Sequence, residues 1–194
     1  MAKAQRVRGL DPDRRLRFNA RRIIAARLDE VYAYDGVVAD PANVRELHDM
    51  RIACKRLRYT LEIFAIAFEA DLEPAVDEVK ALQDVLGDIH DCDVQVPMLQ
   101  EHLAWLEARE GAAARELVTA AAAADAGSLD EDAYARFAGS LAASNRDAER
   151  PGVHGLIARR GRERDELYAH FLSEWGRLKR ERFRARLEEA LGGH

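Results

Sequence analysis

The segment Glu46–Phe64, ELHDMRIACKRLRYTLEIF, decides how the chain is read. It scatters one His, one Tyr and four Arg or Lys residues among apolar side chains. Placed on a helix turning about 100° per residue, the mixture sorts into stripes. Met50, Cys54, Leu57, Leu61, Phe64 and, a turn later, Phe68 share one stripe, which the pattern assigns to the core. His48, Arg51, Lys55 and Arg58 follow i, i+3, i+7, i+10 spacing on an adjacent stripe, with Tyr59 and Glu62 beside them. Arg56 points away from both.

Cations stacked at i, i+3 and i+4 repel, costing roughly 0.2–0.5 kcal/mol per pair. An ordinary solvated face alternates signs, whereas this one has no acid on its stripe between His48 and Glu62. A row of guanidinium and ammonium groups one turn apart, about 5.4 Å, suits a ligand with repeated anionic oxygens. Arg binds phosphate through paired N–H donors and Lys as a point charge. The bland alternative is a basic surface face balanced by acids elsewhere in the chain. His48, with an ordinary pKa of about 6.5, would add charge to the row as pH falls, or would simply hydrogen-bond within the bundle.

Working outward, the 194 residues carry a net charge of -5 that hides a segregation. Residues 1–30 are rich in Arg, residues 69–132 have Lys80, Arg109 and Arg115 as their only Lys or Arg, and residues 159–186 turn basic again. Such a chain suits a defined anionic ligand better than indiscriminate coating of DNA or membrane. Cys54 and Cys92 lie far apart and read as reduced thiols rather than a disulfide framework. The start MAKAQRVRGLDPDRR lacks an apolar signal core and no stretch is long enough to span a bilayer, so a cytoplasmic, non-membrane protein is expected.

The punctuation predicts helices over 12–34, 43–70, 74–90, 97–124, 130–147 and 153–190. Asp11-Pro12 starts the first, and Asn43 with Glu46 resembles a capping box at the second. Gly87 bends the third and 91–97 is a junction. No strand-like alternation occurs. The expected class is all-α, a single domain over 1–194 built as a bundle of long antiparallel helices, with motif helices within 12–105 and closing helices over 130–190. Other helices offer further basic rows. Arg14, Arg17 and Arg21 repeat the i, i+3, i+7 spacing; Lys80, Gln83 and Gly87 do so on the third helix; Arg160 and Arg164 lie above a core stripe of Leu167, Phe171, Trp175 and Leu178.

LHDMRIACKRLRYTLEIF followed by VKALQDVLGDIHDCDV closely resembles the CHAD domain, the conserved histidine α-helical domain. Its pattern H-x-x-R-x-x-x-[KR]-R-L-R-Y matches His48 to Tyr59, and L-Q-D-x-L-G-x-x-x-D matches Leu82 to Asp91. The resemblance implies a helical bundle that binds inorganic polyphosphate in a basic cavity and associates with cytoplasmic polyphosphate granules in bacteria. It carries phosphate contact onto His48, Arg51, Lys55, Arg56, Arg58 and Lys80, and more loosely onto Arg14, Arg17, Arg21 and Arg22. Family members often hold two bundle halves, each with its own motif helix. Only one full motif is present here, so a minimal bundle or a homodimer that rebuilds the second half is expected.

Two other classes compete. His48 with His90-Asp91 could form an H…HD…D metal phosphohydrolase, but any chain with six histidines offers such a pattern, and the basic rows hold almost no metal-binding carboxylates. His90, Cys92 and Asp93 sit too close in sequence to act together as a metal site on one helix face. A nucleic-acid binder would use the same rows, yet the acidic balance and the lack of a stacking run beyond Tyr59 oppose it. The expectation is therefore binding without catalysis, with neither metal nor cofactor.

Overall fold

A computed structural model describes residues 4–123 and 149–192. The described residues form α1 (Leu16–Tyr32), α2 (Val44–Phe64), a 3₁₀ turn (Ala65–Ala67), α3 (Glu73–Ala123), α4 (Glu149–Arg180) and α5 (Phe183–Gly192), with no strand among them. The all-α bundle read from the sequence is what the chain adopts. Two compact units can be separated, one of residues up to 93 together with 163 onward, the other of residues 94–162.

In the first unit every helix contributes an apolar stripe at helical spacing. Ile24 and Leu28 come from α1, Met50, Cys54, Leu57 and Leu61 from α2, and Leu82, Leu86 and Ile89 from α3; all are buried. Phe171, Trp175 and Leu178 of α4 close the same core with Phe183, Leu187 and Leu191 of α5. The stripe expected on α2 is the observed one, with Phe68 also buried and Phe64 half-buried against the core. Fully burying one such side chain contributes about 1.5–3 kcal/mol, so this cluster holds the unit together.

Ion pairs set the order of α1 and α2. Arg17, near the start of α1, lies 5.8 Å from the Phe68 ring beyond the end of α2. Near the other end, Glu30 of α1 reaches Arg56 of α2 at 3.4 Å, so the two run antiparallel. Glu30 is only 4% exposed and also accepts from Arg27 and from the Gln5 backbone N–H. The α1–α2 loop is tied to α4 by four side chains: Trp175 Nε1 donates to Asp35 at 2.7 Å, Lys179 to Asp35 at 2.6 Å, Tyr168 to the Val38 carbonyl at 2.8 Å, and Arg164 to the Pro41 carbonyl at 2.7 Å. This anchoring fixes where α2 begins, and hence where His48 sits.

Several boundaries differ from the sequence expectation. The segment Asp11–Arg15 is a turn rather than the first turn of α1; Asn19 brackets it by accepting from the Asp11 N–H and donating to its carbonyl. Asn43 precedes α2 but makes no side-chain cap, because its amide donates to the Val37 carbonyl at 2.8 Å. The second helix ends at Phe64, passing into the 3₁₀ turn instead of running to residue 70. The junction expected at 91–97 does not exist: α3 continues through Gly87 and Pro97. A helical Gly costs about 1 kcal/mol and a Pro about 3, but Leu82, Leu86, Ile89 and Cys92 stay buried at unbroken helical spacing. The single closing helix expected over 153–190 is instead two, broken at Glu181–Arg182. There Arg182 adopts a left-handed φ of 56°, which turns α5 back onto the core.

The second unit comprises residues 94–162 and buries Leu106. On α3, Trp105 stacks on His102 at 5.7 Å, with the Arg109 guanidinium 4.6 Å from its ring. The helix expected over 130–147 lies outside the described residues.

Candidate basic row between two helices

Two contacts fix how α2 meets α3. The rings of His48 and His90 lie 4.4 Å apart, centroid to centroid. One turn along, a methyl at Gly87 would stand 3.5 Å from Arg51 Nε, so the Arg51 guanidinium lies across the bare backbone of α3. His48 and Arg51 ascend α2 while His90 and Gly87 descend α3, so the helices are antiparallel here. Carried one and two turns further, the same register sets Lys55 level with Gln83 and Arg58 level with Lys80. The α2 row expected from the sequence thus faces the Lys80, Gln83, Gly87 row on α3.

The polar atoms of this face lack protein partners. His48 Nδ1, Arg51 Nε, Arg58 Nε and Gln83 Oε1 are buried without a hydrogen bond. Arg58 Nε lies 3.4 Å from Glu62 Oε1, a charge contact without hydrogen-bond alignment. Buried donors normally find an acceptor, because leaving one unmet costs about 1–3 kcal/mol. Lys55 and Lys80 are exposed, and Arg51 is half-buried. Tyr59, 43% exposed, carries the Arg58 guanidinium at 4.7 Å and the Lys55 ammonium at 5.8 Å from its ring. Its face orders two cations without neutralising them, as a carboxylate would.

His48 is the titratable member. Burial lowers its pKa below the ordinary 6.5, His90 and Arg51 push the same way, and Asp49 opposes them. The free row therefore presents a neutral imidazole beside its permanent cations at neutral pH.

Other expected site residues go elsewhere. Arg56 is held by Glu30 on the α1 side of α2. Arg164 is clamped by Asp93 and the Pro41 carbonyl, so its donors serve the loop. Arg21 lies against Gly192 of α5, and Arg22 stacks on Phe18 and donates to the Arg8 carbonyl. Arg14 pairs with Asp11 at 3.7 Å and stacks on Phe18; Arg17 sits over Phe68. Arg160 belongs to the second unit, where it is half-buried and engaged. The residue that the sequence reading leaves out of the row is His90, although i, i+3, i+7, i+10 spacing from Lys80 passes through it.

The described elements of this unit are all helical and set a row of cations, most of them without a carboxylate partner, between two antiparallel helices. A family model, CHAD domain, matches residues 2–100, a span containing α1, α2 and the first part of α3. The chain belongs to the CHAD-domain family. Comparison with curated proteins and with solved structures finds no match.

Proposed function

We propose that this protein binds inorganic polyphosphate along the α2–α3 row and holds it without cleaving it. Membership of the CHAD family, which is linked to polyphosphate, supports the ligand class. The observation that carries the reading is the row itself: among the described residues Arg51, Lys55 and Lys80 have no ion-pair partner, while Arg27, Arg56, Arg164, Arg177, Arg184 and Arg186 of the same unit are matched to carboxylates. An extended polyphosphate places an anionic oxygen beside each cation, and release of its counterions adds to the affinity. Association with polyphosphate granules in the bacterial cytoplasm follows as the proposed setting. No described helix is long and apolar enough to cross a membrane. With one motif helix per chain, a second copy related by a twofold would supply an opposing row.

The metal-phosphohydrolase reading draws on the meeting of His48 and His90, but among the described residues no three His, Cys, Asp or Glu side chains converge as a metal-binding group. Titration with long-chain polyphosphate tests the proposal against an Arg51→Ala, Lys55→Ala, Arg58→Ala triple variant. Wild type should bind at least tenfold more tightly than the variant, with no free phosphate released. Equal affinities would end the proposal, and steady phosphate release would replace it with an enzyme. Light scattering on the same samples reports whether the complex contains two chains.

A further inference from the structure

We propose that the His48–His90 ring pair couples filling of the row to proton uptake, so that the protein holds its polyanion in mildly acidic surroundings and releases it as pH rises. The inference rests on the polyphosphate reading and adds regulation to that site.

The geometry of the pair carries it. Two imidazoles whose ring centroids are 4.4 Å apart cannot both be cationic at low cost, and Arg51 adds a permanent charge beside them. His48 Nδ1 is buried and meets no acceptor. A proton placed there in the free protein would find no protein acceptor. Charged groups act on His48 from its own helix and from α3. On α2 they are Asp49 and Arg51, and Asp49 is the one acid that favours the imidazolium. On α3 the row neighbour one turn from His90 is Gly87, which brings no charge. One turn the other way Asp93 is already neutralised by Arg164 of α4. His48 is thus a neutral gap at the end of a cationic row.

A chain of phosphates along Arg51, Lys55 and Arg58 would extend its negative charge over that gap. The anion offsets Arg51 and supplies the charge that an imidazolium needs, so bound polyanion raises the proton affinity of the pair. By linkage, protons then raise the affinity for polyanion equally. The sign follows from the free state: His48, its pKa held below the ordinary value by burial, is neutral at neutral pH and gains a proton on binding, so binding tightens as pH falls. While one proton is taken up, affinity changes by up to about tenfold per pH unit.

Calorimetric titration with long-chain polyphosphate, from pH 6 to pH 8 in buffers of differing ionisation heat, counts the protons. Long chains are used because internal phosphates stay ionised throughout. Wild type should take up a substantial fraction of a proton near neutral pH, with affinity rising on the acid side. In His48→Gln and His90→Gln the binding that remains should lose that uptake. Ring-proton NMR of the wild type is the second reading, with the His48 titration midpoint expected to rise on adding polyphosphate. Binding with no proton uptake, uptake that persists in both variants, or an unmoved His48 midpoint would overturn this inference and leave polyphosphate binding standing. Absence of binding at every pH would overturn both.

Discussion

At the scale of single residues, particular charges are left without a carboxylate while others are spent on structure. Tyr59 marks the difference. A carboxylate in its place would have cancelled the cations it orders, whereas an aromatic face holds Lys55 without an acid and leaves Arg58 only its contact with the exposed Glu62. Tyr59→Phe should therefore leave polyphosphate affinity within about twofold, while Tyr59→Ala should lower it about five- to tenfold, the equivalent of roughly 1 kcal/mol for exposed cation–π contacts. A larger loss in Tyr59→Phe would show that the hydroxyl, not the ring, matters. Glu30 shows the opposite use of charge. Buried and shared by Arg27, Arg56 and the Gln5 N–H, it joins α1, α2 and the N-terminal segment. Glu30→Gln should cost about 2 kcal/mol in urea unfolding, since hydrogen bonds to charged groups contribute about 1.5–3 kcal/mol. Polyphosphate affinity of the folded variant should stay near wild type; a parallel loss of affinity would mean that Arg56 serves the ligand after all.

At the scale of elements, α2 was legible because one fixed period governs every side chain on a helix. The same turn angle that buries Met50, Cys54, Leu57 and Leu61 sets His48, Arg51, Lys55 and Arg58 on a neighbouring line, and both lines stand as read. Breakers misled where they met a stronger pattern. Gly87 and Pro97 read locally as a bend and a junction, yet α3 continues through both, with the buried Leu82, Leu86, Ile89 and Cys92 carrying its apolar stripe past Gly87. The break before α5 carried no signal at all, since Glu181 and Arg182 are neither Gly nor Pro. Their turn is imposed by docking of Phe183, Leu187 and Leu191 into the core. Gly87 also has an element-scale test. Room for a methyl 3.5 Å from Arg51 Nε means that Gly87→Ala should fold, gain about 0.5–1 kcal/mol in thermal unfolding and keep binding. Gly87→Leu should displace the Arg51 guanidinium and weaken polyphosphate binding severalfold. If Ala alone abolished binding, the ligand would have to approach the backbone of α3 itself.

At the scale of the whole molecule, a net charge of -5 and a cationic row coexist because acids and bases are segregated along the chain, with Lys80, Arg109 and Arg115 the only Lys or Arg over residues 69–132. What could not be read from the chain is which bases would be neutralised. Arg56, Arg164 and the row residues look alike in sequence, and only the packing of α1 and α4 against α2 and α3 gives Glu30 to one and Asp93 to another. In the proposed complex Arg51, Lys55 and Arg58 neutralise phosphates directly. The slope of log affinity against log salt measures this, because each neutralised phosphate on a flexible polyanion contributes about 0.7. Replacing all three with Ala should therefore make the slope shallower by about 2, along with the loss of affinity. A triple variant with an unchanged slope, or wild-type binding indifferent to salt, would contradict it.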